Sequence, residues 1–197
     1  KHLTSYTYNM IITFSGPQSS GKSTLLNYLS DRNPEFKFIP EVTRYIKRKY
    51  DLPINEQGSI LTQMMIMTQH VANAYNVNNN QSINVILDRC SIDGLIYTHW
   101  LCENGLDMSA YSFAQTMHEL TVSKYDVIFV TSHEGVLLDD DGERSIDVDF
   151  RNGIIKLFDE HFSTHEYNNV VVLKGSVKER LQTIKETLKL KGLEISI

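Results

Sequence analysis

The sequence predicts an α/β fold in which a parallel sheet of five strands carries helices on both faces. Short apolar runs alternate along the chain with segments of helical periodicity, a pattern typical of parallel sheets buried on both sides. A glycine-rich motif also lies between the first apolar run and the first helical segment. With 197 residues, 41% of them hydrophobic, the chain suffices for one domain with a sizeable core.

The glycine-rich motif is a complete GxxxxGK[ST] phosphate loop. The apolar run 10–14 before it suits a buried strand, and leucines recur at helical spacing after it. In this loop the lysine reaches the β- and γ-phosphates and the following serine coordinates Mg²⁺. The motif therefore predicts a phosphate-loop NTPase fold that binds ATP with Mg²⁺, through Gly16, Pro17, Gln18, Ser19, Ser20, Gly21, Lys22, Ser23 and Thr24.

Turn residues and helix-breaking prolines separate the elements that follow. Pro40 and Glu41 suit the first turn of a helix, because proline needs no amide donor there and an acidic side chain complements the helix dipole. In chain order, the predicted elements are helix 22–30, strand 36–39, helix 41–50, helix 56–76, strand 85–88, helix 92–101, helix 109–123, strand 126–131, helix 149–162, strand 169–173 and helix 176–190.

The helix predicted over 56–76 is rich in methionine, and its periodicity places one apolar side against the core. That side carries Ile60, Leu61, Met64, Met67, Val71 and Ala74. The seven histidines show no metal-binding spacing, so we expect them at the surface or in incidental positions.

Composition excludes several classes of protein. The net charge of −5 disfavours binding to duplex nucleic acid. The two cysteines form no CxxC pair, so we expect neither a disulfide framework nor a zinc site, in a reducing cytoplasm. No apolar run of about 18 residues predicts a membrane span, and no secretory signal is found. We expect one domain over 10–197, after an N-terminal extension, 1–9, of partly non-native origin.

An acidic residue at the end of a later strand, the second feature of phosphate-loop sites after the loop itself, decides which class of phosphate-loop protein is favoured. Asp88 ends a predicted strand and is followed by Arg89, whereas an ATPase that activates water usually has an Asp-Glu pair there. A basic neighbour suits a site that binds a second anionic or polar substrate, although a structural Asp-Arg ion pair is the alternative. No guanine-specific NKxD motif follows, which disfavours a GTP switch.

These motifs resemble those of known kinases. Asp88-Arg89 is similar to the strand-end pair of thymidylate and deoxynucleoside kinases. The phosphate loop, the segment 41–44, the glutamine-containing helix and residues 141–145 together resemble the AAA-like kinase domain of bacterial ribosylnicotinamide kinases, over about 10–190. The resemblance implies an adenylate-kinase-like core with a mobile lid at about 132–149, and contact between the adenine of ATP and the loop of Gly175, Ser176 and Val177.

Roles follow from what phosphoryl transfer requires, which is positioning and charge stabilisation. The predicted catalytic residues are Lys22, Asp88, Arg144 and Arg151, the two arginines acting on the transferring phosphoryl group. Asp88 either accepts the acceptor's proton or, with Ser23, binds the metal. The predicted acceptor-binding residues are Glu41, Arg44, Gln63, Gln69 and Arg89, although a Glu41–Arg44 pair within one helical turn is an equal alternative.

The sequence therefore predicts ATP- and Mg²⁺-dependent phosphoryl transfer to a nucleoside, a nucleoside monophosphate or a nucleoside-like small molecule. One alternative is a 5′-kinase of a polynucleotide end, which is the only nucleic-acid partner we expect. A second alternative is an ATP-binding regulator or ATPase without an acceptor. A homodimer is left open.

Overall fold

The computed structural model of the chain describes residues 9–76, 83–133 and 147–197. Its strands are β1 (Ile11–Ser15), β2 (Lys37–Ile39), β3 (Val85–Asp88), β4 (Val127–Thr131) and β5 (Val170–Leu173). Its helices are α1 (Lys22–Arg32), α2 (Val42–Tyr50), α3 (Ile60–Asn76), α4 (Ser91–Glu103), α5 (Met108–Thr121), α6 (Val148–Thr164) and α7 (Val177–Leu190), with 3₁₀ turns at Asn55–Gln57 and Val122–Lys124. Within these ranges, no helix is long and apolar enough to cross a membrane.

The five strands form one parallel sheet in the order β2-β3-β1-β4-β5, so the predicted fold is confirmed. Phe14 of β1 lies opposite Asp88 of β3 and Phe129 of β4. Because the carboxyl ends of these strands meet at one edge, the phosphate loop after β1 lies between the end of β3 and the end of β4.

Both faces of the sheet are covered. On one face Ile12 and Phe14 pack against leucines and isoleucines of α1 and α7. On the other face Ile11 and Ile128 pack against apolar residues of α4 and α6. Alternate residues of β1 thus enter different cores, as the two-residue period of a strand requires.

Helix boundaries differ from the predictions by a few residues. α3 begins at Ile60 and not at 56, because a 3₁₀ turn precedes it and the Ser59 hydroxyl accepts from the amide of Thr62 (3.2 Å). This is an N-terminal cap. α4 and α6 each begin one residue before their predicted starts and run two residues beyond their predicted ends.

The prediction of which side of α3 is buried is wrong at the amino-terminal end of the helix. Ile60, Leu61 and Met64 are 36%, 56% and 37% exposed, whereas Met67 and Ala74 are fully buried. The buried side instead carries the polar residues Thr62 and Gln63 at this end and His70 further along the helix. The helix therefore turns polar groups inward, towards the cavity described below.

Two of the histidines, His70 and His118, are buried, so a surface position is wrong for them. His118 bonds through Nδ1 to the Ser91 hydroxyl (3.0 Å) and through Nε2 to the Tyr167 hydroxyl (3.2 Å). The same Tyr167 hydroxyl lies 2.8 Å from Nε2 of His161. Burial lowers the pKa of both His118 and His161 to about 4, so these rings are neutral at pH 7.

Candidate active site

The phosphate loop has the backbone that its glycines were expected to allow. Gly16 and Gly21 have φ of 133° and 86°, which favour glycine. A Cβ atom at Gly16 would lie 2.6 Å from Oγ1 of Thr131, so only glycine fits beside β4. The Ser20 hydroxyl donates to the carbonyl of Pro17 (2.8 Å) and lies 2.5 Å from Thr131 Oγ1, which holds the loop against the sheet.

The Lys22 side chain is buried within this loop. Its Nζ donates to the carbonyls of Gly16 and Pro17 (both 2.7 Å) and to the Ser20 hydroxyl (3.1 Å). Burial lowers the pKa of Lys22 to about 7, and the charge of Arg89 acts in the same direction. An anion in the loop would favour the charged form of this lysine.

Arg89 joins three parts of the site. It has a left-handed backbone, with φ of 71°. Its Nε donates to Oε1 of Glu41 (2.7 Å), and its Nη1 donates to Oδ1 of Asp93 (3.0 Å) and to the carbonyl of Gly16 (3.3 Å). The ion-pair partners of Arg89 are thus Glu41 and Asp93. The alternative of a structural ion pair between Asp88 and Arg89 required Asp88 as the partner, and Asp88 is not one of these two.

Glu41 precedes α2 and lies between two arginines. Its Oε2 accepts from Nε of Arg44 (3.0 Å), while Oε1 accepts from Arg89. Burial raises the pKa of Glu41, but the charges of Arg89 and Arg44 outweigh burial and hold it below its ordinary value. Glu41 is therefore a carboxylate at neutral pH.

Asp93 is a site residue that the sequence reasoning missed. It is 2% exposed, and its Oδ1 accepts from the amide of Gly16 (3.2 Å) as well as from Arg89. Its Oδ2 accepts from the amide of Cys90 (3.1 Å), which caps α4. The available signal was the acidic residue three positions after the cap, as in a capping box.

Asp88 ends β3 beside the phosphate loop. Burial raises the pKa of Asp88 to about 6, with the charge of Glu41 acting in the same direction and those of Arg89 and Lys22 opposing it. The Ser23 hydroxyl lies on the exposed first turn of α1. A serine hydroxyl and a carboxylate are oxygen donors of the kind that Mg²⁺ takes, so these two residues fit the predicted metal role.

A cavity opens at the same edge of the sheet, between α2, α3 and α4. Its walls include Glu41, Gln63, His70, Arg89, Asp93 and Tyr97. Arg89 and Asp93 also bond to Gly16, so the cavity directly adjoins the phosphate loop.

The cavity brings together some of the predicted acceptor residues. Glu41, Gln63 and Arg89 line it, whereas Arg44 and Gln69 do not. Arg44 lies in a separate surface groove with Tyr45, and the Gln69 amide donates to Asn73 of its own helix (2.8 Å).

Arg180 of α7 is a second residue that the sequence reasoning missed. Its guanidinium donates to three carbonyls, those of Ser20 (2.7 Å), Gly175 (2.9 Å) and Ser132 (3.2 Å). Arg180 thereby ties the predicted adenine loop to the phosphate loop. Ser176 of that loop caps α7, and Ser176 and Val177 line an open hollow apart from the cavity.

The predicted lid is described only at its ends. Residues 134–146, including Arg144, lie outside the described residues, as do residues 1–8 of the predicted extension. Arg151 lies in the first turn of α6, is partly buried and does not line the cavity.

Comparisons with known proteins concern the family and the fold. A family model described as an AAA domain matches residues 11–180. No curated protein matches the sequence.

Solved structures show the same fold. The NadR protein in complex with NR matches with a TM-score of 0.70 and 18% identity, over 96% of this chain and 54% of that one. Thymidylate kinase from Candida albicans matches with a TM-score of 0.62 and 16% identity, over 95% and 97% of the chains. Deoxyadenosine kinase from M. mycoides, with dCMP and dCDP bound, matches with a TM-score of 0.66 and 16% identity, over 93% and 100%.

This chain therefore spans about half the length of the NadR chain that it matches. Two of these three structural neighbours are named as kinases of a nucleoside or a nucleotide. At these identities the likeness establishes a shared fold.

Proposed function

The chain belongs to the AAA domain family, and from that premise we propose that it transfers the γ-phosphoryl group of ATP to a hydroxyl of a nucleoside-like small molecule. The observation that carries this proposal is the cavity beside the phosphate loop, since Arg89 and Asp93 line the cavity and also bond to Gly16. An ATPase without an acceptor needs no second cavity at this place. The nucleoside and nucleotide kinases among the structural neighbours support the same reaction class.

The charges in the cavity favour an uncharged acceptor. Its charged wall residues are two carboxylates, Glu41 and Asp93, and one guanidinium, Arg89. A phosphate group on the acceptor would meet an excess of negative charge there. We therefore place a nucleoside ahead of a nucleoside monophosphate or a polynucleotide end.

The residues divide the work of transfer. Lys22 and the loop amides hold the β- and γ-phosphates, while Glu41 accepts a hydrogen bond from the acceptor hydroxyl inside the cavity. As the new O–P bond forms, the bond between the γ-phosphorus and the bridging oxygen breaks, the hydroxyl proton passes to Glu41 and ADP leaves.

Asp88 and Ser23 would hold Mg²⁺, which neutralises charge on the phosphates when bound. Asp88 is assigned to the metal because it does not line the cavity, whereas Glu41 does. Arg144 and Arg151 remain our candidates for charge stabilisation at the transferring phosphoryl group.

A transfer assay with γ-labelled ATP tests the proposal. The acceptors are nucleosides, nicotinamide riboside, nucleoside monophosphates and a 5′-hydroxyl oligonucleotide. We expect label on a nucleoside and a loss of roughly 10²-fold or more in kcat for Glu41→Gln, with the exposed carboxylate variant Glu103→Gln as control. ATP turnover that no acceptor changes, or label on the oligonucleotide alone, would contradict the proposal.

A further inference from the structure

Two polar groups on the cavity wall lack hydrogen-bond partners among the described residues. His70 of α3 is 2% exposed, and neither of its ring nitrogens bonds to another described side chain or backbone group. The Tyr97 hydroxyl of α4 is also buried with no partner in hydrogen-bonding geometry within the described ranges, and the Arg89 guanidinium lies 5.3 Å from the centre of the Tyr97 ring. Buried polar groups in folded proteins nearly always have a partner, so the Tyr97 hydroxyl, with the His70 ring on the same cavity wall, indicates a place for a ligand.

Both groups are uncharged at neutral pH. Burial lowers the pKa of His70 to about 4, and burial raises the pKa of Tyr97. The charged groups that act on both are Glu41, Arg89 and Asp93, which already bond to one another. A neutral imidazole and a phenol hydroxyl can hydrogen-bond to neutral polar atoms, and they supply no positive charge to balance a phosphate.

The packing of α3 against α4 holds these groups in the wall. A Cβ atom at Gly94 would clash with Sδ of Met67 and would lie in ordinary van der Waals contact with Cδ2 of His70, at 3.5 Å, so this glycine lets Met67 of α3 pack closely against α4 beside the His70 ring. The neighbouring Gln63 differs, because its Oε1 accepts from the Thr98 hydroxyl (3.0 Å). The protein thus satisfies Gln63, Glu41, Arg89 and Asp93 of the wall internally, whereas His70 and Tyr97 remain for a ligand.

We propose that His70 and Tyr97 determine which acceptor is used, by hydrogen-bonding to neutral polar atoms of its heterocyclic base. Tyr97 donates to a ring nitrogen or carbonyl oxygen, and His70 bonds to a second polar atom of the same ring. This inference rests on the proposed function, since it assigns the cavity to the acceptor. The substrate class is a nucleoside whose base offers at least one such acceptor atom.

Calorimetric binding of nucleosides in the absence of ATP tests the pair directly. The panel sets adenosine against inosine and cytidine against uridine, which differ at exocyclic groups, and adds nicotinamide riboside. Tyr97→Phe and His70→Leu should each weaken binding of the preferred nucleoside by roughly 10-fold. Each should also reduce the difference in affinity between that nucleoside and the other member of its pair. His70→Gln should recover part of the affinity. The matched control is His99→Leu on α4, whose ring stacks on Tyr111 of α5 and does not line the cavity. Binding of a non-hydrolysable ATP analogue should change less than about twofold in every variant.

The melting temperature of the unliganded protein separates recognition from a structural role. Removing an unpartnered buried hydroxyl relieves a desolvation cost, so Tyr97→Phe should melt no lower than the parent while binding the nucleoside less well. A lower melting temperature, an unchanged binding profile in both variants, or no binding of any nucleoside to the parent protein would overturn the inference. Nucleoside binding that the variants weaken, without any phosphoryl transfer, would support the recognition role while contradicting the transfer activity.

Discussion

Replacing Asp93 by alanine should be among the most destabilising single changes in the site. Its carboxylate accepts from the amides of Gly16 and Cys90 and from the guanidinium of Arg89, and it is 2% exposed. The Cys90 thiol also donates to Oδ2 of Asp93 (3.7 Å). The truncation therefore leaves four donors without this partner, one of them on a buried cation.

The expected loss follows from these contacts. Breaking one side of a buried ion pair costs about 3–5 kcal/mol, and losing a helix-capping interaction costs about 1 kcal/mol. Glu41 still compensates Arg89, so we expect a loss of about 3–5 kcal/mol in the free energy of unfolding. For a chain of this size that corresponds to a fall of roughly 6–20 °C in Tm.

Asp93→Asn tests whether charge or shape matters. Both carboxylate oxygens accept hydrogen bonds, so an amide must turn its NH₂ group towards a donor. We expect about 2–4 kcal/mol of destabilisation, measured by urea denaturation with circular dichroism. The control is Glu103→Ala, an exposed carboxylate on the same helix that lies 3.7 Å from His99 and should cost less than about 0.5 kcal/mol. A loss below about 1 kcal/mol for Asp93→Ala would refute the reasoning.

Four further predictions concern catalysis. Lys22→Ala should lower kcat by roughly 10²-fold or more. Because the pKa of Lys22 in the folded protein is lowered to about 7, the unfolded chain binds more protons between that pH and the ordinary lysine pKa. The free energy of unfolding of the wild type should therefore rise with pH in this window, and that of the variant should not. Asp88→Asn should lower kcat by roughly 10²- to 10⁴-fold with ATP binding still measurable. The wild-type rate should fall as pH drops through about 6. A variant as active as the wild type at every pH would assign the metal role to another residue. Arg180→Lys should raise KM for ATP by roughly 10-fold with a smaller change in kcat, because an ammonium lacks the planar guanidinium that donates to three carbonyls. Unchanged kinetics would make Arg180 a packing residue only. Arg144→Ala should reduce kcat by roughly 10²-fold or more with less effect on ATP affinity, and Arg144→Lys should recover part of the rate. An unchanged kcat in Arg144→Ala would shift the role to Arg151, Arg89 or Lys22.

Features of the fold that depend on local chemistry were predictable from the sequence. The phosphate loop is defined by residue spacing, and each strand is an apolar run between turn residues. The Glu41–Arg44 pair was predictable because the two residues are three apart at the start of a helix.

Contacts between distant parts of the chain were not predictable. Asp93 is separated from Gly16 by 77 positions and Arg180 from Ser20 by 160, and no local pattern encodes such a pairing. The buried side of α3 was misassigned for a related reason. Hydrophobic periodicity assumes that buried means apolar, but polar residues of this helix, Gln63 and His70 among them, line a polar cavity.

The shared hydroxyl of Tyr167 fixes the donor–acceptor direction of its hydrogen bonds to His118 and His161 relative to each other. A hydroxyl has one proton, so Tyr167 donates to either His118 or His161 and accepts from the other ring. The two rings must therefore hold complementary tautomers, and the Nδ1 contact of His118 with Ser91 carries that choice to the start of α4. These three hydrogen bonds have two self-consistent orientations of opposite polarity, and reversing one bond requires reversing all three. The start of α4, directly after the strand end that carries Asp88, is thus coupled to the tautomer of a ring on α6.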